Sequence, residues 1–408
     1  MEFKYLTLND FELRDKRVLL RLDVNSPLQP GTNRILDNTR IVSAKPTLDA
    51  LIDSKVVILS HQSRPGKEDF TSLQQHAALL QKACIQHVKF IDDVMGSAAR
   101  AAIQEVKKGE ILVLENVRFC SEEILEDDGR KLTKTNLVSR LSPLFNVYVN
   151  DAFATAHRAQ ASLVSFPYLL PSAAGKLMEK ELAALKRLLT EPERPSTYIL
   201  GGAKVEDKVP VIENILSIGR ATHVLVGGNV GKIFLKATGV KFSEGDETWL
   251  TKNSDQVTKA LDILRKHKDR VVMPADFGTR SGNQRRDVSV NELNQAGVGL
   301  DIGTETIDNF THIIQQSKTI VASGPMGVFE QNGFEIGTKK LLEAMAETNA
   351  FVVIGGGHLA GYAGILHVGE KFSHVSTAGG AMLSLLAGEE LPAITSLEES
   401  AKLYGKIC

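Results

Sequence analysis

The sequence predicts an α/β fold with parallel sheets and helices on both faces. Short, β-branched apolar runs recur through most of the 408 residues, and stretches with helical periodicity separate them. That alternation is the pattern of parallel sheets joined by crossover helices. The residues just after the apolar runs are basic in the first half and glycine in the second. Ligands on such sheets bind there, outside the carboxyl ends of the strands.

In the first half, residues 18–22, 56–60, 111–114 and 147–149 are short and apolar, as strands buried on both faces are. Helical patterns at 41–51, 73–86 and 132–144 lie between them. A domain boundary is expected at 166–171, where two prolines bracket a short apolar run. Residues 172–189 follow, with Leu177, Leu182, Leu185 and Leu189 at helical spacing. A helix there either acts as a pivot or is an ordinary surface helix of the second domain. The strand rhythm resumes at 198–200, 224–226, 271–273, 319–322 and 350–354. The stretch 350–369 is nearly uncharged, but its glycines and His358 favour a strand–turn–helix over a membrane span.

Length allows roughly two to three domains. Hydrophobic content of 43% and charge of 24% are ordinary for a globular chain. A net charge of -1 gives no bulk attraction for nucleic acid or an anionic membrane, so neither is an expected partner. Cys84, Cys120 and Cys408 are odd in number and widely spaced, which excludes a disulfide framework and a cysteine zinc site. They fit a reducing compartment. The opening MEFKYLTLNDFELRDKR has no apolar core of a secretory signal, and a cytoplasmic location is expected.

The basic signals are VLLRLDVN (Arg21), VVILSHQSRP (His61, Arg64), ILVLENVRF (Arg118) and VYVNDAFATAHR (His157, Arg158). An arginine fork grips phosphate or carboxylate bidentately. The glycine signals are YILGGAK, HVLVGGN, TIVASGP and FVVIGGG. A glycine turn opening a helix holds an anion with backbone N–H groups. Two anion-binding surfaces of different construction suggest two phosphate-bearing ligands brought together, the logic of a small-molecule kinase.

Read in order, RVLLRLDVNSP, ILSHQSRPG, LENVRF, VNDAFATAHRAQAS, AGKLMEKEL, LGGAKVEDK, SGPMGVFE, IGGG and SHVSTAGGA closely resemble the phosphoglycerate kinase family. The resemblance runs over essentially the whole chain. It implies reversible phosphoryl transfer from 1,3-bisphosphoglycerate to ADP, giving 3-phosphoglycerate and ATP, with Mg²⁺ carried by the nucleotide. It also implies two Rossmann-like, three-layer domains: 1–170 for the glycerate ligand and 171–392 for the nucleotide, joined by a hinge helix that closes them, with 393–408 packing back on the first. A monomer is expected.

Carried over position by position, Asp23, Asn25, Arg40, His61, Arg64, Arg118 and Arg158 line the substrate pocket, with Arg40 toward the reacting end. His157 serves either as a ligand or only to orient its loop. Arg40, Lys204, Gly379 and Gly380 match catalytic positions. Gly202, Ala203, Lys208, Gly227, Gly228, Gly299, Leu300, Gly324, Pro325, Val328, Glu330, Gly355, Gly356, Gly357 and His358 match the nucleotide site, with Glu330 toward the ribose. Lys204 and Lys208 stand four apart, on one face of a helix.

Three departures stand out. His358 replaces the aspartate of the family's GGGD turn, as in archaeal members, which leaves phosphate oxygens and waters as the expected ligands of magnesium. Ser323 stands where NGP is usual, and Ala378 where the final GGG begins.

Two other readings compete. Gly355-x-Gly357-x-x-Ala360 fits the dinucleotide fingerprint of an NAD-dependent dehydrogenase, but the acidic residue expected about 20 positions on is missing from SHVSTAGGAM. A catalytically silent scaffold would have lost positions such as Arg40, Lys204, Gly379 and Gly380, all of which match. There is no Walker A sequence and no protein-kinase catalytic loop.

Overall fold

Runs that are apolar on both faces are stable only as inner strands of a covered sheet. The computed structural model, which describes residues 3–190, 192–282 and 284–405, has two such sheets. The chain divides into two compact units, Met1–Lys186 with Glu390–Cys408, and Arg187–Glu389.

The first unit holds a parallel seven-stranded sheet. Its strands are β1 (Leu6–Thr7), β2 (Arg17–Arg21), β3 (Lys55–Leu59), β4 (His87–Ile91), β5 (Glu110–Leu114), β6 (Val147–Asn150) and β7 (Ser172–Ala174), in the order β1-β7-β6-β2-β3-β5-β4. Val18, Leu20, Val56, Ile58, Ile111, Val113 and Val149 form the core with Ile41, Leu48 and Leu80 from the covering helices and Leu73 just before one of them. The strand order reverses direction between β2 and β6. Such a reversal opens a crevice at the carboxyl edge.

Several helices are shorter than the periodicity predicts. The pattern at 41–51 forms two pieces, Thr39–Ser43 and Lys45–Ala50, because Pro46 has no N–H and can only open a helix. Leu73 and residues 84–86 fall outside the helix Gln74–Ala83. The pattern at 132–144 splits into Gly129–Leu132, Asn136–Leu141 and a 3₁₀ turn, Ser142–Leu144. Thr135 caps the second piece and Pro143 opens the third.

Residues 172–174 are strand, and the helix after them spans Lys176–Thr190. Asp151 seats its first turn. One carboxylate oxygen accepts the Met178 N–H at 2.9 Å, and the other accepts the Thr47 hydroxyl at 2.5 Å. The division between units falls inside this helix, after Lys186.

The helix Pro392–Tyr404 belongs to the first unit and buries Ala393, Ile394 and Leu397. Its Ala393 N–H donates to Ala156 O at 3.1 Å, and the Ser400 hydroxyl to Leu170 O at 3.3 Å. Residues 406–408, Cys408 among them, lie outside the described residues.

The second unit holds a parallel sheet of β8 (Ser196–Leu200), β9 (His223–Val226), β10 (Val271–Val272), β14 (Thr319–Ser323), β15 (Phe351–Gly355) and β16 (His374–Ser376), ordered β10-β9-β8-β14-β15-β16. Between β10 and β14 lies an element outside the all-parallel expectation. It is a three-stranded antiparallel sheet of β11 (Asp276–Ser281), β12 (Gln284–Ser289) and β13 (Gly299–Ile302). β12 is largely exposed and polar, so it gives no apolar run to read. The stretch 350–369 contains β15 and the helix Gly357–Ile365. No helix among the described residues is long and apolar enough to cross a membrane.

Leu397 is fully buried in the first unit. Leu397→Ala is expected to cost about 2–5 kcal/mol, the usual scale for a core leucine. Hydrogen exchange should show the loss in the first sheet, with protection of β8 and β14 unchanged.

Candidate active site

At the carboxyl edge of the first sheet, four strand ends contribute pieces of a largely cationic cluster. Asp23 and Asn25 follow β2, His61 and Arg64 follow β3, Arg118 lies in the 3₁₀ turn after β5, and Arg158 follows β6. Arg40 lies in the helix Thr39–Ser43 and pairs directly with Asp23. The Asp23 carboxylate also accepts the Asn25 N–H at 3.0 Å, and the Asn25 side chain accepts the Ser63 N–H at 2.9 Å. Burial alone would raise the Asp23 pKa. Arg40 and the Asn25 N–H outweigh it and hold the carboxylate well below its usual range.

Arg118 is almost fully buried and donates to Ser63 O at 2.6 Å and to the Gln160 side chain at 3.3 Å. Burial, with Arg21 and Arg158 nearby, pushes its pKa down to about 10. Carboxylates pair with three arginines of the group: Glu123 with Arg21 at 4.0 Å, Asp23 with Arg40, and Glu126 with Arg158 at 3.3 Å. Among the described residues Arg118 has no such ion pair, so the cluster is short of negative charge where it is driest.

Burial also lowers the His61 pKa well below normal, and Arg21, Arg118 and Arg40 reinforce this against Asp23. The ring is neutral at physiological pH. Arg64 and His157 are exposed on their loops. Asp23, Asn25, Arg40, His61, Arg118 and Arg158 are thus brought into one electrostatic neighbourhood, while no hydrogen bond joins Arg64 to it among the described residues.

The second unit is built differently. Helices Val205–Ser217, Gly228–Ala237, Gly357–Ile365 and Gly379–Leu386 begin at the carboxyl ends of β8, β9, β15 and β16. Their N-termini carry unsatisfied N–H groups and partial positive charge. The strand order reverses between β8 and β14, where the turns after the two strands press together. A Cβ on Gly324, whose φ is 85°, would overlap Gly201 O. Gly356 has φ 100° and lies against Gly379, whose added Cβ would sit 2.9 Å from Gly356 Cα. Only glycine permits both the conformation and the approach.

Other named residues lie along this seam or on the loops beyond it. Gly228 would carry a Cβ 3.2 Å from Gly202 N and Pro325 O. The Val328 N–H donates to Leu300 O at 2.7 Å. Ala203 and Lys204 are exposed at the head of the first helix, Gly380 lies in the first turn of the last, and Glu330 is exposed beyond Val328. His358 is also exposed, with its ring 6.0 Å from that of Phe329, which lies 5.1 Å from Tyr362. No group of three or more His, Cys, Asp or Glu able to hold a metal occurs among the described residues.

Three supports were not evident from the sequence. The Lys208 ammonium donates to the Ser323 hydroxyl at 2.6 Å, so the serine that departs from NGP anchors a lysine. Buried Lys232 pairs with Asp246 at 2.6 Å, and Asp246 accepts the Gly299 N–H at 3.0 Å. Arg21 ends its strand like the other basic residues but is fully buried beneath the cluster. Motif spacing gives no signal for Asp246 or Glu123.

A two-unit α/β chain with an arginine-lined site on one sheet and a glycine-amide site on the other has the architecture of a phosphotransferase. Comparison with known proteins narrows this. Residues 8–389 match the family model for phosphoglycerate kinase. The chain is 44% identical over 408 residues to a phosphoglycerate kinase of Methanothermus fervidus, covering 99% of each. It is 44% identical over 410 residues to that of Methanobacterium bryantii, covering both completely. The crystal structure of phosphoglycerate kinase from Pyrococcus horikoshii OT3 superposes with a TM-score of 0.91 at 41% identity, covering 97% of this chain and 99% of that one.

The chain belongs to the phosphoglycerate kinase family. It is a phosphotransferase with a carboxyl group as acceptor, acting on phosphoglycerate and ADP/ATP in glycolysis. This membership sets aside the dehydrogenase and scaffold readings.

Burial pushes the Lys208 pKa down to about 7, with Asp207 opposing the shift and Lys204 reinforcing it. A lysine whose pKa is depressed on folding destabilises the native state fully below the folded value. That penalty fades as pH rises from about 7 toward the ordinary lysine value of about 10.4. Lys208→Met is therefore expected to raise the melting temperature at pH 6, with a smaller gain at pH 9. Calorimetry at the two pH values checks this.

Proposed function

We propose that the first unit's cluster binds the glycerate ligand and the second unit's seam binds the nucleotide, with Mg²⁺ arriving on the nucleotide as part of the substrate. The observation that carries the first assignment is Arg118, a buried guanidinium without a carboxylate partner among the described residues. A phosphate dianion supplies the missing charge, and guanidinium forks suit its geometry. Arg118, Arg158, His61 and Arg64 take the remote phosphate. Asp23 and Asn25 orient the glycerate hydroxyl and Arg40, and Arg40 reaches the reacting carboxyl end.

On the nucleotide side, Gly202, Ala203 and Lys208 hold the phosphates. Gly227, Gly228, Gly299, Leu300, Gly324, Pro325 and Val328 surround the base, and Glu330 takes the ribose hydroxyls. The N-termini at Gly355, Gly356, Gly357 and His358, and at Gly379 and Gly380, face the transferring phosphoryl. Lys204 neutralises the charge that develops on it. His358 rests near Phe329, and the magnesium keeps phosphate and water oxygens as ligands.

No general base is required in the ATP-consuming direction. The nucleophile is a carboxylate, ionised at neutral pH. Positioning and charge neutralisation remain as the catalytic terms of an in-line transfer. We assign the helix Lys176–Thr190, which carries the chain from one unit into the other, as the hinge of a closure that keeps water from the acyl phosphate. The thiols Cys84 and Cys120 are free, in keeping with a cytoplasmic enzyme.

Lys204→Ala is expected to lower turnover by about 10²–10³, the scale of losing one transition-state donor. Arg40→Ala should act comparably. A coupled assay of ATP formation measures both, and near-normal turnover in either would overturn its role.

A further inference from the structure

Beneath the arginine cluster lies a fully buried group that the reaction does not touch. Arg21, Glu123 and Ser162 are all 0% exposed. Arg21 Nε donates to the Ser162 hydroxyl at 2.8 Å, and its Nη1 donates to Leu22 O. Glu123 accepts the Ser162 N–H at 2.9 Å and the Ser162 hydroxyl at 2.6 Å, and its Oε1 stands 4.0 Å from Arg21 Nη2. Nε and Nη1 are thus fixed by hydrogen bonds. Nη2, which faces Glu123, lies 3.2 Å from His61 Nδ1.

A guanidinium carries only donors. The contact is a hydrogen bond only if Nδ1 is the acceptor, so the ring proton resides on Nε2. Nε2 has no protein partner among the described residues, although His61 is only 2% exposed. The ring sits among the charges of Asp23, Arg21, Arg118 and Arg40. A second proton would add charge to a crowded cationic site and set Nδ1–H against the Arg21 N–H.

We infer that Arg21, anchored by Glu123 and Ser162, is a positioning residue that fixes His61 as the neutral Nε2–H tautomer, so that the cationic pocket presents one uncharged donor to the phosphoglycerate. The second half of this statement rests on the proposed substrate role of His61. Arg21 and Glu123 act only through the imidazole and touch no reacting atom.

The test uses the full chain labelled with ¹⁵N-histidine, with the His61 resonances identified by their loss in His61→Asn. Two-bond ¹H–¹⁵N correlation is expected to show an unprotonated Nδ1 and a protonated Nε2, unchanged between pH 6 and pH 8. A protonated Nδ1, or an imidazolium at pH 7, overturns the inference. Arg21→Lys, whose ammonium cannot span Ser162, Leu22 O and His61 together, is expected to mix the tautomers. It should raise the KM for 3-phosphoglycerate roughly tenfold, the scale of one misplaced charge-assisted bond, and leave the KM for Mg-ATP unmoved. An unaltered imidazole spectrum in that variant also overturns the inference.

If Arg21→Lys does not fold, the wild-type spectrum still decides the tautomer. An unchanged KM for 3-phosphoglycerate in His61→Ala would instead overturn the substrate role, and the spectrum would separate that failure from one of the tautomer.

Discussion

Like charge packed close together and away from water is the constraint from which the first unit's site follows. Arginines from separate strand ends cannot share a dry crevice unless something neutralises them. The fold supplies Asp23 beside Arg40, Glu126 beside Arg158 and buried Glu123 beneath Arg21. It keeps His61 uncharged by burying it. Arg118 is left to carbonyl and amide partners, which orient a guanidinium without cancelling its charge. What that balance leaves uncancelled is positive charge at Arg118. The repulsion within the cluster is met by folding itself, as in a preorganised site.

The second unit solves the same problem with dipoles. Four helix N-termini at one sheet edge offer N–H groups whose partial charges stay fixed and need no counter-ions. The requirement shifts from charge balance to backbone approach. The seam between the turns after β8 and β14 closes only because Gly201 and Gly324 lack side chains. Lys208, the half-buried cation beside this seam, rests on the Ser323 hydroxyl. The serine that departs from NGP therefore serves as the lysine's anchor.

Most of the architecture was legible because inner parallel strands write themselves as continuous apolar runs. What escaped reading lacked that imprint. β4 is a half-exposed edge with Lys89 in its middle, β1 and β7 are two and three residues long, and β12 is mostly polar. Helix ends were misplaced where Pro46, Thr135 and Pro143 overrode periodicity. In the candidate site, the residues in motifs at strand ends could be named in advance. Their supports could not, since Arg21 meets Ser162 across 141 positions and Lys208 meets Ser323 across 115. Such pairs exist only once the sheets have formed.

The helix Pro392–Tyr404 carries a consequence for biosynthesis. It covers apolar surface on a unit whose other residues were translated more than two hundred codons earlier. During elongation that surface stays open while the entire second unit, Arg187–Glu389, leaves the ribosome. The second unit is contiguous in sequence and can mature as it emerges. The first must wait for the closing segment, so the order of completion on the ribosome runs opposite to the order of synthesis.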